Sequence, residues 1–253
     1  MTSDDDLRHD HEFVNDTEAV IRLGSMLLSS GTGSYRVKRA MTDTGDALGM
    51  DRLDATVGLT EITVTAHRGD NFRTVAREVY RVRVDSSRIS ALEELAHNLP
   101  EGMTGRDVEA RLDNISRTVR PQWKEWQTIL AGGFACAGFA ILNKFSLADS
   151  LVVLLAASAG QFVRGRLNRR WLNQFGVAAL ASAAACLLYL VVADLLTNTG
   201  LHTIHGPGYV ASLLFLVPGF PMITSILDMV RMDFTAGLSR AMYSIGLILA
   251  ATL

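Results

Sequence analysis

Cysteine, proline and aromatic residues are all scarce in this chain. There are 2 cysteines, 5 prolines and 7% aromatic residues in a sequence of 253. Cys136 and Cys186 lie in apolar segments without pairing or metal-ligand spacing, which argues against a disulfide framework and against a cysteine metal site. The sequence also lacks a Walker loop and a His-Glu-x-x-His pattern. We therefore expect no cofactor, no metal and no enzymatic activity.

Charge is scarce in the second half of the chain. Of the 50 charged residues, 39 lie in residues 1–126 and 11 in residues 127–253. The first half thus has the composition of a water-soluble domain, and the second half that of a membrane domain. The start, Met-Thr-Ser-Asp-Asp-Asp, lacks the basic and apolar regions of a signal peptide, so we expect the soluble half to stay in the cytoplasm. The net charge of −2 indicates no nucleic-acid partner.

Five apolar segments predict transmembrane helices, near 128–146, 147–163, 171–196, 207–227 and 236–253. Basic residues flank them mainly on one side: Arg111, Arg117, Arg120, Lys124, Arg164, Arg166, Arg169, Arg170, Arg231 and Arg240, with Trp123, Trp126 and Trp171 at the same boundary. The opposite loops hold only Lys144. This asymmetry predicts a cytoplasmic N-terminal domain and a C-terminus outside. An odd number of spans excludes a simple two-fold repeat, so we expect a second protomer or a partner subunit.

The soluble half has the pattern of an α+β domain. We expect a disordered acidic tail over residues 1–16, a cytoplasmic domain over 17–122 and a five-span membrane domain over 123–253. Within the cytoplasmic domain, periodicity predicts helices over 17–30, 35–49, 86–98 and 104–119, and a hairpin of strands over 56–66 and 72–84. Ser34 is the expected N-cap of the second helix, and Thr104 with Asp107 forms an approximate capping box for the fourth.

Two of the five prolines interrupt the fourth apolar segment. Pro218 and Pro221 flank Gly219 and Phe220 there. A proline inside a helix removes a backbone hydrogen bond, and in hydrocarbon the freed carbonyl needs a neighbouring helix, water or a bound solute. Broken helices of this kind form binding sites in many transporters. A plain kink is the alternative.

A carboxylate follows this break at helical spacing. If Pro221 begins a half-helix, Thr224 and Asp228 are separated by four residues and Ser225 and Asp228 by three, so the three side chains share a face. The positive end of the helix dipole, two hydroxyls and one carboxylate are suited to a small zwitterion or organic acid. Alternatively, Asp228 pairs with Arg231 at the cytoplasmic edge.

Other polar residues of the membrane half have simpler interpretations beside the functional ones. Asp149 begins the second segment and is a candidate for the solute pathway together with Asn143, but helix capping with Ser146 is equally plausible. Asp194 and Asp233 lie near span ends, where hydrated interface positions account for them. These acids and Asp228 are the only four after position 127.

The segment Gly31-Thr32-Gly33-Ser34 in the soluble half has three interpretations. Its glycines could cradle a phosphate, or its serine could be a nucleophile. No strand precedes it to form a nucleophile elbow. A link between two helices, with a capping serine, is the simplest of the three.

Two segments of the chain have a familiar pattern. The first is Ser-Gly-Thr-Gly-Ser-Tyr-Arg-Val at 30–37, and the second is Leu-Val-Pro-Gly-Phe-Pro-Met-Ile-Thr-Ser followed by Asp228 and Met229. Both segments resemble the threonine/serine exporter family, most closely its short YjjP-type branch. Leu-Gly-Met-Asp at 48–51 and Ile-Leu-Asn at 141–143 are also similar to that branch, and the resemblance covers residues 17–253. One departure is Thr224, where relatives often have Asn, so the substrate does not transfer directly.

The resemblance implies an exporter in the bacterial inner membrane that acts as a secondary transporter. Family members export threonine and serine, and the YjjP branch is associated with succinate export. Short-branch members are thought to work with a small YjjB-type membrane subunit. The absence of an ATP-binding signature suggests that a proton gradient or the solute gradient drives export.

The expected mechanism is alternating access around the proline break. Six residues are the expected substrate-binding set: Pro218, Gly219, Pro221, Thr224, Ser225 and Asp228. The two hydroxyls would receive the solute carboxylate, and Asp228 would bind an ammonium group or carry a proton. A membrane-tethered sensor or scaffold without transport activity is the main alternative, and a membrane-embedded hydrolase using Ser34 is a third.

Overall fold

The structure is a computed structural model that describes residues 4–80, 83–100, 102–120, 123–170, 173–200 and 208–252. Its contacts divide the chain into two units. The first comprises Met1–Gln122 with Phe220–Ala241, and the second comprises Trp123–Gly219 with Met242–Leu253. The first unit therefore includes a segment from the apolar half of the sequence. The predicted domain roles remain predictions.

The described chain is mainly helical, with one small sheet. In chain order the elements are α1 Asp4–Ser29, α2 Ser34–Ala47, β1 Arg52–Val57, β2 Glu61–Arg68, β3 Asn71–Glu78, α3 Ser86–His97, α4 Gly105–Thr118, α5 Glu125–Leu142, α6 Leu147–Asn168, α7 Gln174–Asn198, α8 Gly208–Ser212, a 3-10 turn Leu214–Leu216, α9 Gly219–Val230 and α10 Phe234–Thr252. The four predicted helices of the soluble half correspond to α1 to α4. The capping box of Thr104 and Asp107 is also confirmed.

Helix α1 begins at Asp4, inside the stretch for which the sequence predicted a disordered tail. The side chain of Phe13 is 3% exposed and belongs to the apolar core of the first unit. Asp16 is buried, pairs with Arg68 at 2.6 Å and accepts a hydrogen bond from the Gly105 amide at 2.7 Å. The acidic composition of this stretch concealed these inward contacts, because they involve one face of the helix.

The sheet has three antiparallel strands in the order β1-β2-β3. The single strand predicted over 56–66 is therefore wrong: the Gly58 amide donates to the Glu61 carbonyl at 2.8 Å and closes a turn that separates β1 from β2. The predicted hairpin at residues 67–71 is confirmed, because Arg68 pairs with Asn71. Alternate residues of β2 are buried in the core that α1 and α2 also line: Ile62, Val64 and Ala66.

Helices of the second unit pack closely through small residues. A Cβ on Gly133 of α5 would lie 2.2 Å from the Ser158 hydroxyl of α6, and a Cβ on Gly160 of α6 would lie 2.6 Å from the Phe215 ring. Small residues at such positions let helices approach closely in membrane proteins. Helix α6 extends to Asn168, so Arg164 and Arg166 lie within it and not in the loop where the sequence placed them.

Four uninterrupted helices of the described part are long and apolar enough to cross a membrane. They are Glu125–Leu142, Leu147–Asn168, Gln174–Asn198 and Phe234–Thr252. The bent pair Gly208–Leu216 and Gly219–Val230 makes up to five if it counts as one span. These helices correspond to the five predicted segments. Trp171 of the predicted inner boundary lies outside the described residues.

Candidate functional site

The helix break predicted at Pro218–Pro221 is confirmed. The chain bends by 59° between the segments Gly208–Leu216 and Gly219–Val230. Val217 is extended, with φ −62° and ψ 121°, and the Gly219 amide donates to the Val217 carbonyl at 2.9 Å. Helix α9 starts at Gly219, two residues before the predicted start at Pro221. Pro221 therefore lies in the first turn, where a missing amide is tolerated.

The break frees a backbone carbonyl, which accepts a hydrogen bond from a charged side chain instead. In an uninterrupted helix the Phe215 carbonyl would accept the Gly219 amide, which here goes to Val217. The Arg164 guanidinium of α6 donates to the Phe215 carbonyl instead, at 3.0 Å. A neighbouring helix thus satisfies a group that the break sets free, as a nonpolar surrounding requires.

The three polar residues of α9 that were predicted to share a face are all buried. Thr224 is 6% exposed, Ser225 2% and Asp228 1%. Both hydroxyls donate to main-chain carbonyls. Thr224 donates to Phe220 and Pro221, each at 3.1 Å, and Ser225 donates to Gly237 of α10 at 2.7 Å. The side chain of Asp228 is therefore the charged group of this face.

The carboxylate of Asp228 has one charged partner, with which it forms an ion pair, and one hydrogen-bond donor. Arg240 of α10 places its Nε 3.2 Å from Oδ2, and the two side chains are 3% and 2% exposed. The Ser34 amide, at the start of α2, donates to Oδ1 at 3.1 Å. The alternative pairing with Arg231 does not occur among the described ion pairs, because that guanidinium lies 3.6 Å from the centroid of the Tyr35 ring.

Ser34 has a different role from the predicted one. The N-cap of α2 is Gly33, without a side-chain cap, and Ser34 is the first helical residue. Its hydroxyl donates to Oδ2 of Asp233 at 2.9 Å. Lys38, one turn later, forms an ion pair with the same carboxylate. Asp233, for which a hydrated interface position was predicted, is 20% exposed and also belongs to a cluster of polar and charged residues. The cluster is formed by Ser34, Lys38, Asp228, Asp233 and Arg240.

Arg240 and the contacts to Ser34 were missed by the sequence analysis. Arg240 also donates to the Thr32 carbonyl at 3.1 Å, so it joins the loop before α2 to α10. The sequence does contain a signal for Arg240, because a basic residue inside the apolar segment 236–253 is unusual. The contacts to Ser34 had no local signal, since about 200 residues separate the partners.

The two predicted pathway residues serve helix ends. Asp149 and Ser146 form a reciprocal capping box at the start of α6, which was the equally plausible alternative. Asn143 is the C-cap of α5, and its amide donates to the Phe139 carbonyl at 2.8 Å. Asp149 is 5% exposed, and its Oδ1 has no hydrogen-bond partner in the described residues. The role of both residues in a pathway stays a prediction.

Within the described ranges, no group of three or more His, Cys, Asp or Glu residues could hold a metal ion. The hydroxyl of Ser34 donates to a carboxylate rather than to a histidine base. The site therefore consists of paired charges and main-chain groups. Such an arrangement can bind or exchange a charged solute or a proton.

Comparison with known proteins assigns the chain to a family. The family model described as "Putative threonine/serine exporter" matches residues 18–253. The chain belongs to the threonine/serine exporter family. This exporter-family chain is thus a multi-pass membrane protein of a transporter family.

Two curated relatives have the same name, "Probable succinate transporter subunit YjjP". The relative from Escherichia coli is 26% identical over 228 residues, which cover 88% of this exporter-family chain and 86% of the relative. The relative from Klebsiella aerogenes is 27% identical over 229 residues, covering 88% and 85%. No solved structure matches the chain.

Proposed function

We propose that this chain is a subunit of an inner-membrane exporter of small carboxylate-bearing metabolites, either threonine and serine or succinate. The observation that carries the proposal is the buried Asp228–Arg240 pair on the helices that follow the break. The family description supports export of threonine or serine. The name of the curated relatives supports succinate and the role of a subunit.

The physical argument begins with the cost of burial. Removing two charges from water costs several kcal/mol per ion, and a buried pair recovers this only with good geometry and further hydrogen bonds. Ionisable groups within membrane helices mark substrate or proton pathways. The pair of Asp228 and Arg240 is nearly inaccessible to solvent, so a chain that keeps it has a use for both charges.

Each charge has a matching group on the solute. The Arg240 guanidinium is suited to a carboxylate, which accepts hydrogen bonds in the planar geometry that arginine offers. The carboxylate of Asp228 would bind an ammonium group or carry a coupling proton. This changes the expected role of Thr224 and Ser225, whose hydroxyls donate to the main chain. They fix the face of α9, and the guanidinium receives the carboxylate.

We place the site on the cytoplasmic side. The Asp228 carboxylate accepts the amide of Ser34, and Ser34 belongs to the part of the chain that we assign to the cytoplasm. With a cytoplasmic N-terminus and an extracytoplasmic C-terminus, a solute leaving the cell would meet this pair on entering the transporter. Alternating access around the break would then carry it outward. A small YjjB-type membrane subunit, or a second copy, would complete the pathway.

Reconstitution of the protein into liposomes tests the proposal. The purified chain is inserted into the liposomes either alone or with a small membrane subunit of the YjjB type. The liposomes are loaded with labelled threonine, serine or succinate, and release of the label is followed over time. We expect Asp228→Asn to reduce release at least tenfold, because the charge that engages the solute or proton is lost. Asp194→Asn is the matched control, since Asp194 is exposed on α7 and bonds only to Asn198 among the described contacts.

The outcomes separate the candidate functions. Release that depends on Asp228 and not on Asp194 supports the exporter. Unaltered release by correctly inserted Asp228→Asn removes that residue from the mechanism. No release of any of the three solutes, with or without the partner, would instead favour a membrane-tethered sensor or scaffold.

A further inference from the structure

The segment that leads into the first residue of α2 contacts both charged side chains of the proposed site. The Thr32 carbonyl accepts a hydrogen bond from Arg240 at 3.1 Å, and the Ser34 amide donates one to Asp228 at 3.1 Å. A backbone acceptor and a backbone donor, separated by a single residue, thus bind the guanidinium and the carboxylate respectively. We name the segment Thr32–Ser34 the latch.

The latch approaches the carboxylate closely at Gly33. A Cβ at this position would lie 3.2 Å from Oδ1 of Asp228, closer than most side-chain carbons come to any neighbour. The backbone of Gly33 is ordinary, with φ −69° and ψ 156°. A side chain here would require the Asp228 carboxylate to shift by a few tenths of an ångström, whereas the backbone conformation suits any residue. The main chain can therefore reach the carboxylate as directly as a small ligand would.

A second set of contacts holds the latch without using the central pair. The Ser34 hydroxyl and the Lys38 ammonium both bind Asp233, and Arg231 lies over the ring of Tyr35. These contacts do not involve Asp228 or Arg240. They keep the start of α2 near the pair even when the main-chain contacts of the latch are broken.

We propose that the latch is a gate that competes with the solute, and that Ser34 and Lys38 set the solute affinity as positioning residues. The carboxylate of a bound solute needs the Arg240 guanidinium. The ammonium group of the solute, or a coupling proton, needs the Asp228 carboxylate. The latch occupies both groups in the closed state, so it has to withdraw first. This inference rests on the proposed function, because it assumes that the Asp228–Arg240 pair receives the solute.

The competition has a measurable sign. When only a fraction of the molecules is open, the apparent dissociation constant is raised by the reciprocal of that fraction. Weakening the second set of contacts increases the open fraction. Ser34→Ala and Lys38→Met should therefore lower the half-saturating solute concentration, by roughly threefold to tenfold if the open state is scarce. A residue that only supports the fold would not increase affinity.

The test combines transport with hydrogen exchange on the full-length protein. The half-saturating concentrations of threonine, serine and succinate are measured for the wild type, Ser34→Ala and Lys38→Met. Arg39→Met is the matched control, because Arg39 lies on α2 and its described ion pair is with Asp43. Hydrogen exchange of peptides covering 30–38 is measured for each protein, with and without saturating solute.

We expect solute to speed exchange in 30–38 of the wild type, and the two variants to show fast exchange already without solute. The gate is overturned if solute leaves this exchange unchanged, or if the variants keep or raise the half-saturating concentration. Transport by the wild type without these effects would leave the proposed function intact and reject the gate alone. If the wild type transports none of the three solutes, the proposed function fails. If none of these solutes changes the hydrogen exchange of residues 30–38 either, the gate is rejected as well.

Discussion

At the scale of single residues, the Asp228–Arg240 pair combines high cost with high specificity. Each side chain is at most 3% exposed, so neither charge can rely on water if the other is removed. Removing one partner of a buried pair typically destabilises a protein by about 3–5 kcal/mol, whereas replacing both is often neutral. This difference allows the contribution of the pair to stability to be separated from its contribution to transport.

We expect Asp228→Asn to lower the thermal stability of the detergent-solubilised protein, because it leaves the buried Arg240 guanidinium without its carboxylate. The double variant Asp228→Asn with Arg240→Met should recover most of the stability, since both charges of the buried pair are then removed. Transport should stay reduced at least tenfold in both variants. Melting temperatures and release from liposomes provide the two measurements. Recovery of transport in the double variant would contradict the proposed role of the pair.

Residue-level prediction from the sequence succeeded where the chemistry is local. The shared face of Thr224, Ser225 and Asp228 follows from helical spacing alone, and all three are buried. The partner of Asp228 could not be read in the same way. Arg240 lies beyond the turn between α9 and α10, and Ser34 is 194 positions away, so only the folded chain brings them together.

At the scale of elements, the broken helix shows how a local rule and a distant partner combine. The prolines predicted the interruption because they remove backbone hydrogen bonds. The sequence could not show which group would then bind the Phe215 carbonyl. That group is Arg164 of α6, which the sequence analysis had placed in a loop. The prediction of a single strand over 56–66 was wrong because a turn at Gly58 divides this run of strand-forming residues into two strands.

We expect Arg164→Met to destabilise the protein by about 1 kcal/mol, because it leaves a partly buried acceptor without this hydrogen bond. Arg166→Met, two residues further along the same helix, removes an exposed guanidinium that lies over the Phe162 ring and should have a smaller effect. Thermal unfolding of the two variants in the same detergent makes the comparison. Equal melting temperatures would show that the contact to Phe215 does not stabilise the break.

At the scale of the whole molecule, the question is how many times the chain crosses the membrane. Four helices qualify alone, and the bent pair adds a fifth span only if both of its parts cross together. The charge asymmetry predicted the crossing pattern from loops, yet Arg164, Arg166 and Arg240 lie inside helices. Without these three residues, seven of the ten flanking basic residues remain on the predicted cytoplasmic side, and Lys144 remains on the other.

Cysteine labelling in intact cells tests this pattern. In a background with Cys136 and Cys186 replaced by serine, we introduce Lys144→Cys and, as its counterpart, Arg231→Cys. An odd number of spans with a cytoplasmic N-terminus predicts that a membrane-impermeant maleimide labels position 144 from outside, whereas position 231 reacts only after the cells are opened. A cysteine added after Leu253 should also react from outside. If that C-terminal cysteine is protected while position 144 is labelled, the bent pair does not cross, and the chain has four spans rather than five.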